Sequence, residues 1–275
     1  MLRISAFADE ISPDLNEQIR VCKESGVTHF ELRGVSGKNV LDFDKLLCNE
    51  IKKKLADNGL AVLCIASPVG KTRIDEPWHQ AFDKFKTAVE LAEFFAAPMI
   101  RIFSYYPPEG GEIAAHRDEV MRRMRAMVDH IRDLPITLVH ENEARIFGEK
   151  ASACVDLMKT IDSPRLQSAF DFANFVQAGE NPLDTWPLLK AYSTHIHIKD
   201  VLRDGGKNVP AGEGDGQIEP ILRDAYLSGY RGFVSLEPHL SVAGQFSGFS
   251  GPQMFKVAVD ALRGVCARAG IPLSS

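Results

Sequence analysis

The sequence predicts an α/β protein, a single domain over residues 1–275 in which eight parallel strands, each followed by a helix, close into a (β/α)8 barrel. Three observations predict it. Strand-like and helix-like segments alternate from end to end through eight units of about 30 residues, and 275 residues is close to the usual length of such a barrel. Four successive apolar, β-prone runs each end on a potential metal ligand: Thr137-Leu138-Val139-His140 on Glu141, Gln167-Ser168-Ala169-Phe170 on Asp171, Thr194-His195-Ile196 on His197, and Phe233-Val234-Ser235-Leu236 on Glu237. Charged groups closing apolar strands need compensation, and the C-terminal rim of a parallel barrel is where such groups converge. A doubly wound open sheet is the other fold compatible with the alternation.

Residues 2–8 read as the first strand. Ser12-Pro13 then caps a helix with Leu15, Ile19 and Cys22 at helical spacing, Pro13 suiting the first turn. The second strand is 29–33, and Asp42 caps a helix carrying Leu46, Leu47, Ile51 and Leu55 that stops at Asn58-Gly59. After a third strand over 60–67, Pro77 opens a helix whose Phe82, Phe85, Val89 and Ala92 share one face. The fourth strand, 99–105, precedes a helix over 112–133 with Val120, Met124, Met127 and Ile131 in register, and the fifth strand starts at Ile136. Helices over 152–161 and 182–191 separate the strands that end at Asp171 and His197. A glycine-rich segment, 203–216, reads as a mobile loop; a helix over 218–228, a strand over 232–237 and a closing helix over 252–269 complete the chain.

Residues two apart on a strand share a face, so His195 and His197 point the same way and Ile196 and Ile198 face the helices. His195 then lies one layer deeper, as a hydrogen-bonding partner and not a ligand. Lys199 shares the inward face and can neutralise substrate or pair with Asp171 or Glu237. His239 can reach substrate or stand in solvent beyond Pro238, and Arg101 reads as a buried partner for a carboxylate. Any one of the four strand-end groups alone could be a rim charge paired with Arg or Lys; together they make an oxygen-rich donor set. Such a set suits one divalent ion, Mn²⁺ first, with Mg²⁺, Co²⁺ or Zn²⁺ also accommodated. An ion with open positions can hold adjacent oxygens of a hydroxy-carbonyl compound and acidify the neighbouring C–H, and Glu141 and Glu237 could pass the proton.

A net charge of −5 gives no general attraction to nucleic acid or anionic membranes. The five cysteines are odd in number and never spaced as CxxC, as expected of reduced thiols in a cytoplasmic protein; no secretion signal, membrane span or GxSxG nucleophile motif is visible. Gly212 to Gly216 carries two acids and does not open a helix as a phosphate loop would. Small molecules are the expected partners, and exposed helices leave room for a homo-oligomer.

With these residues in view, the chain resembles the xylose-isomerase-like TIM-barrel superfamily, in particular the sugar phosphate isomerase/epimerase group. The resemblance rests on the order of short pieces: Gly26-Val27-Thr28-His29-Phe30-Glu31-Leu32, Glu141 closing strand five, Asp171-x-x-Asn174, His195-x-His197-x-Lys199-Asp200, Gly212-x-Gly214 and Leu236-Glu237-Pro238. It implies Glu141, Asp171, His197 and Glu237 as ligands of one divalent ion, with Glu141 and Glu237 exchanging protons with a sugar or keto-polyol substrate. It also implies substrate contacts at Asn174, where ketose 3-epimerases typically carry His, and at Arg203 or Lys207, counterparts of an Arg after the strand-seven His. The same superfamily holds dehydratases and keto-glycoside lyases, so elimination is the alternative outcome on the same site. A non-catalytic partner subunit fits four retained ligands less well. The histidine-rich trinuclear zinc site of endonuclease IV is not expected, since strands two and three end in Leu32-Arg33 and Ala66-Ser67-Pro68.

Overall fold

Strands β1 (Arg3–Ala6), β2 (His29–Leu32), β3 (Ala61–Ile65), β4 (Met99–Ile102), β5 (Thr137–Glu141), β6 (Leu166–Asp171), β7 (Ser193–Ile198) and β8 (Phe233–Leu236) pair in parallel in sequence order, and β8 returns to β1. The expected (β/α)8 barrel is therefore closed. The computed structural model describes residues 1–243 and 246–274. Outside the barrel lie α1 (Leu15–Glu24), α2 (Lys45–Asp57), α3 (Trp78–Phe95), α4 (Arg117–His130), α5 (Ala151–Ile161), α6 (Phe172–Gln177), α7 (Pro182–Leu189), α8 (Ile218–Leu227) and α9 (Gly251–Ala269).

Strand alternation sorts the apolar residues into two cores. Ile4, Ile100, Leu138, Phe170, Ile196 and Val234 pack with the helices, whereas Leu63, Cys64, Val139, Ala169 and Phe233 form a smaller separate cluster. Val139, Ala169 and Phe233 share their strand faces with Glu141, Asp171 and Glu237, so the inward face carries an apolar floor beneath a polar rim. Register aligns that rim: Asp171 sits beside His197, and His197 beside Ser235, two residues before Glu237. All five cysteines are buried and unpaired, and among the described residues no helix is long and apolar enough to cross a membrane.

Both early helix caps fall two residues later than predicted. Asp14, not Ser12, accepts from Glu17 N at 2.9 Å, and Asp44, not Asp42, accepts from Leu47 N at 2.9 Å. Pro13 disfavours helical backbone at the residue before it, so Ser12 instead accepts from Asp14 N at 3.1 Å. Asp42 is taken up in a 3-10 turn, Val40–Asp42, capped by Asn39. That shift leaves Leu46 83% exposed on the outer face of α2.

The segment after β7 is pinned, which corrects its reading as a mobile loop. Asp200–Val201 pairs antiparallel with Asn208–Val209, and the Asp200 carboxylate accepts from the amides of Val201 (2.9 Å), Gly212 (2.8 Å), Gly214 (3.0 Å) and Gly216 (2.9 Å). Glycine is required there: a Cβ on Gly214 would lie 2.4 Å from Asp200 Oδ1. Hydrogen bonds to a charged group contribute about 1.5–3 kcal/mol each. Asp200→Ala is thus expected to lose at least about 2 kcal/mol and to open residues 203–216 to limited proteolysis. Wild-type resistance in the variant would show that the carboxylate does not hold the segment.

Candidate metal centre

Glu141, Asp171, His197 and Glu237 meet at the C-terminal mouth, each buried and each offering an atom within 4.8 Å of the others. Metal–ligand bonds of about 2.0–2.3 Å place ligands on opposite sides of an ion about 4–4.6 Å apart, so small side-chain adjustments would close this set on one cation. His197 Nδ1 stands 3.3 Å from Glu141 Oε1 and 3.6 Å from Glu237 Oε2. Asp171 Oδ2, Glu237 Oε2 and both ring nitrogens of His197 are buried without an aligned hydrogen bond. Asp171 Oδ2, Glu237 Oε2 and His197 Nδ1 are the unpartnered atoms on the side of the centre, and such a set of buried acceptors is what a cation would satisfy. The residues fit a divalent ion.

Each glutamate is clamped by an arginine through one oxygen. Arg101 Nη1 bonds Glu141 Oε2 at 3.0 Å, Arg33 Nη1 bonds Glu237 Oε1 at 2.8 Å, and the oxygen left over on each faces His197. Burial alone would raise the Glu141 carboxyl, but His197 and Arg101 outweigh it and hold the group down at about 2. Burial likewise opposes ionisation of Glu237, which Lys199, His239 and Arg33 drive well below the usual carboxylate range. Asp171 behaves differently. It caps α6, accepting from Asn174 N at 2.8 Å through Oδ1, and presents Oδ2 to the centre, 3.0 Å from Lys199 Nζ. Burial, helped by Glu141 and Glu237 and opposed by Lys199, pushes its carboxyl up to about 6.

One layer down, His195 Nε2 lies 2.9 Å from Glu31 Oε1, the deeper supporting position expected of it. Burial raises Glu31, but His195 and His197 prevail and lower it to about 2. His197 is further steadied by Phe7, edge-on at 5.2 Å. At the rim, His239 Nε2 reaches Glu10 Oε1 at 3.1 Å and Glu237 Oε1 at 3.5 Å, from a backbone with φ of +50°. Glu10 anchors that turn by accepting from His239 N and Ser250 Oγ, both at 2.9 Å. Burial disfavours the His239 cation, but Glu10 and Glu237 raise it to about 9.

Of the residues expected to touch substrate, Lys199 and His239 stand at the centre. Asn174 is buried beside it, with its amide on Asn142 O (2.8 Å) and Glu141 Oε1 (3.4 Å). Arg203 is not brought there: its exposed guanidinium donates to Glu180 O at 3.0 Å, because the Asp200 turn carries the chain outward. Glu143 lies past the end of β5 and pairs with Lys71 at 2.7 Å. Sequence reasoning missed Arg33, Glu10 and Glu31. The rule that strand ends meet at the rim would have found Glu10 after β1 and Arg33 after β2. Six carboxylates here, Asp9, Glu10, Glu31, Glu141, Asp171 and Glu237, face the fixed cations Arg33, Arg101 and Lys199 and the His239 ring, which Glu10 and Glu237 keep protonated. A divalent cation would offset the negative charge that remains.

A family profile described as xylose isomerase-like TIM barrel matches residues 19–265. The 3-dehydroshikimate dehydratase of Bacillus anthracis is 19% identical over 183 residues, 66% of this chain and 65% of that protein, so the chain spans just under two thirds of this relative's length. Among solved structures, a D-tagatose 3-epimerase-like protein superposes with a TM-score of 0.78 at 14% identity, covering 98% of both chains. A xylose isomerase-like TIM barrel protein from Mycobacterium smegmatis, solved in complex with magnesium, superposes with a TM-score of 0.74 at 19% identity, covering 98% of this chain and 97% of that one.

Proposed function

This chain belongs to the xylose isomerase-like TIM barrel family, and from that premise we propose that it is a divalent-metal-dependent isomerase or epimerase of a sugar or sugar-like keto-polyol. The observation that carries the reading is the pair of arginine-clamped glutamates, each turning its other oxygen to His197 at the same centre. Glu141, Asp171, His197 and Glu237 would hold the ion, Mn²⁺ in the first instance. A bound divalent cation would polarise a substrate carbonyl and offset negative charge developing beside it. One glutamate removes the proton from the hydroxyl-bearing carbon next to the carbonyl, leaving an enediolate, and the other returns a proton to that carbon or its neighbour. Against burial, His197 with Arg101 keeps Glu141 ionised and Lys199 with His239 and Arg33 keeps Glu237 ionised, while the two arginines aim the carboxylates. Lys199 and His239 orient substrate oxygens.

A second reading, elimination of water from the same enediolate, is favoured by one feature: His239, held by Glu10 next to Glu237, is placed to protonate a departing hydroxyl. Screening ketoses, keto-inositols and keto-glycosides with Mn²⁺ in D₂O separates the two. Isomerisation should place deuterium beside the carbonyl in a product of otherwise unchanged mass. A product lighter by one water would assign the elimination, and no exchange with any of these classes would overturn both readings.

Proton and metal compete at Asp171. Its raised carboxyl favours the neutral form up to about pH 6, so the metal-free fold loses stability as pH rises from about 4 through 6, and cation binding must release that proton. Mn²⁺ affinity, read as the rise in melting temperature of chelator-treated protein, should climb with pH through the Asp171 titration and keep climbing above it, because the His197 ring, which Glu141 and Glu237 raise above its ordinary value against burial, must also lose a proton to bind. The Asp171→Asn, His197→Ala double variant should lose the response altogether. An unchanged shift in that variant would place the ion elsewhere.

A further inference from the structure

A cavity of about 490 Å³ opens beside the acidic centre, between the turn after β1, the Gly34–Asn39 hairpin after β2, and Gly248-Phe249. It shares a wall with that centre. Arg33 lines the cavity while its Nη1 bonds Glu237 at 2.8 Å and its Nη2 bonds Gly248 O at 3.2 Å, so the two spaces lie on either side of one guanidinium. The volume is in the range of small-molecule sites, and Arg33, which pairs with both Asp9 on this wall and Glu237 at the centre, puts the cavity next to the rim of the acidic centre.

The lining says what would fit there. Pro13 and Phe249 supply apolar surface above the buried Val35, and the glycines at 34, 37 and 248 expose flat backbone between them. Both cations on the wall already have partners: Arg33 pairs with Asp9 at 2.7 Å and with Glu237, and Lys38 pairs with Asp44 at 3.2 Å. Asp9 shares that guanidinium with Glu237, so the wall keeps negative charge that disfavours a phosphate. A phosphate would need free cations or several converging amides, and among the described residues this wall offers neither as a built site. An uncharged ring, by contrast, gains from apolar burial at no electrostatic cost.

We propose that the cavity is a distal substrate subsite, and that the substrate is a non-phosphorylated compound carrying an apolar or aromatic ring beyond the keto-polyol part. Its role as a substrate site rests on the function proposed for the neighbouring centre.

Calorimetric titration of the Mn²⁺-treated protein with phenyl β-D-glucoside, methyl β-D-glucoside and glucose 6-phosphate tests this. The phenyl compound should bind about tenfold more tightly than the methyl one, and the phosphate no more tightly than the methyl. Phe249→Ala, which removes an apolar wall, and Pro13→Glu, which places a charge at the exposed edge, should each bring the phenyl affinity to within about twofold of the methyl. Both variants should keep the Mn²⁺-induced rise in melting temperature. Equal wild-type affinities, tightest binding by the phosphate, no binding of the phenyl compound, or a preference that survives both variants would overturn the subsite. Loss of the Mn²⁺ response with the phenyl preference intact would instead overturn the metal-dependent reading of the centre.

Discussion

Glu141→Gln and Glu237→Gln are each expected to lower turnover by about 10²–10⁴ at saturating Mn²⁺, the contribution typical of a general acid or base. Glutamine keeps the shape and one oxygen of the side chain but cannot accept and return a proton at neutral pH. The clamps add a second effect. Oε2 of Glu141 already serves Arg101 and Oε1 faces His197. An amide must turn its oxygen to the arginine, which points its NH₂ at the centre. Metal affinity should therefore fall as well, and turnover must be read where added Mn²⁺ no longer raises it. Asp171→Asn is the control: its side chain is placed to hold, not to exchange a proton, so high Mn²⁺ should restore much of its turnover. Near-native rates for either glutamine variant at saturating metal would remove that residue from the chemistry.

The strand ends were legible in the sequence because two local rules meet there: apolar alternation fixes which side chains face inward, and parallel pairing puts all C-terminal ends on one rim. Glu141, Asp171, His197 and Glu237 needed nothing more. Arg33 was not legible, because its meaning comes from Asp9, Glu237 and the Gly248 carbonyl, partners up to 215 residues away. Asp200 was hidden for a related reason. Its four amide bonds depend on a turn whose course no spacing rule gives, and that turn also carries Arg203 away from the centre. Short α6 escaped notice because its start is Asp171 itself, a strand end that doubles as a helix cap. The early caps failed by two residues where proline and a 3-10 turn overrode the simple start signal.

Arg101→Met should cost the metal-free protein about 3–5 kcal/mol, the penalty of breaking a buried ion pair from one side. Arg101 is 5% exposed, bonds Glu141 Oε2 at 3.0 Å and Ala66 O at 3.2 Å, and packs against the rings of Phe103 and Phe7 at 4.9 and 5.1 Å. Methionine retains much of that packing, so the loss isolates the charge. In the wild type, the depressed Glu141 carboxyl contributes stability above about pH 4, which is lost as pH falls toward 2. Without Arg101 that contribution shrinks, and the variant's stability should depend less on pH over this window. Two further results distinguish a compensating charge from mere packing. Adding Glu141→Gln to Arg101→Met should recover part of the loss, giving a coupling energy between the two sites, because the orphaned charge is then gone. Mn²⁺ should also raise the melting temperature of Arg101→Met by more than that of the wild type, since the cation takes over the neutralisation that the guanidinium supplied. Additive losses together with an unchanged Mn²⁺ response would mean that Arg101 supports the barrel through contact alone and that the centre does not trade one positive charge for another.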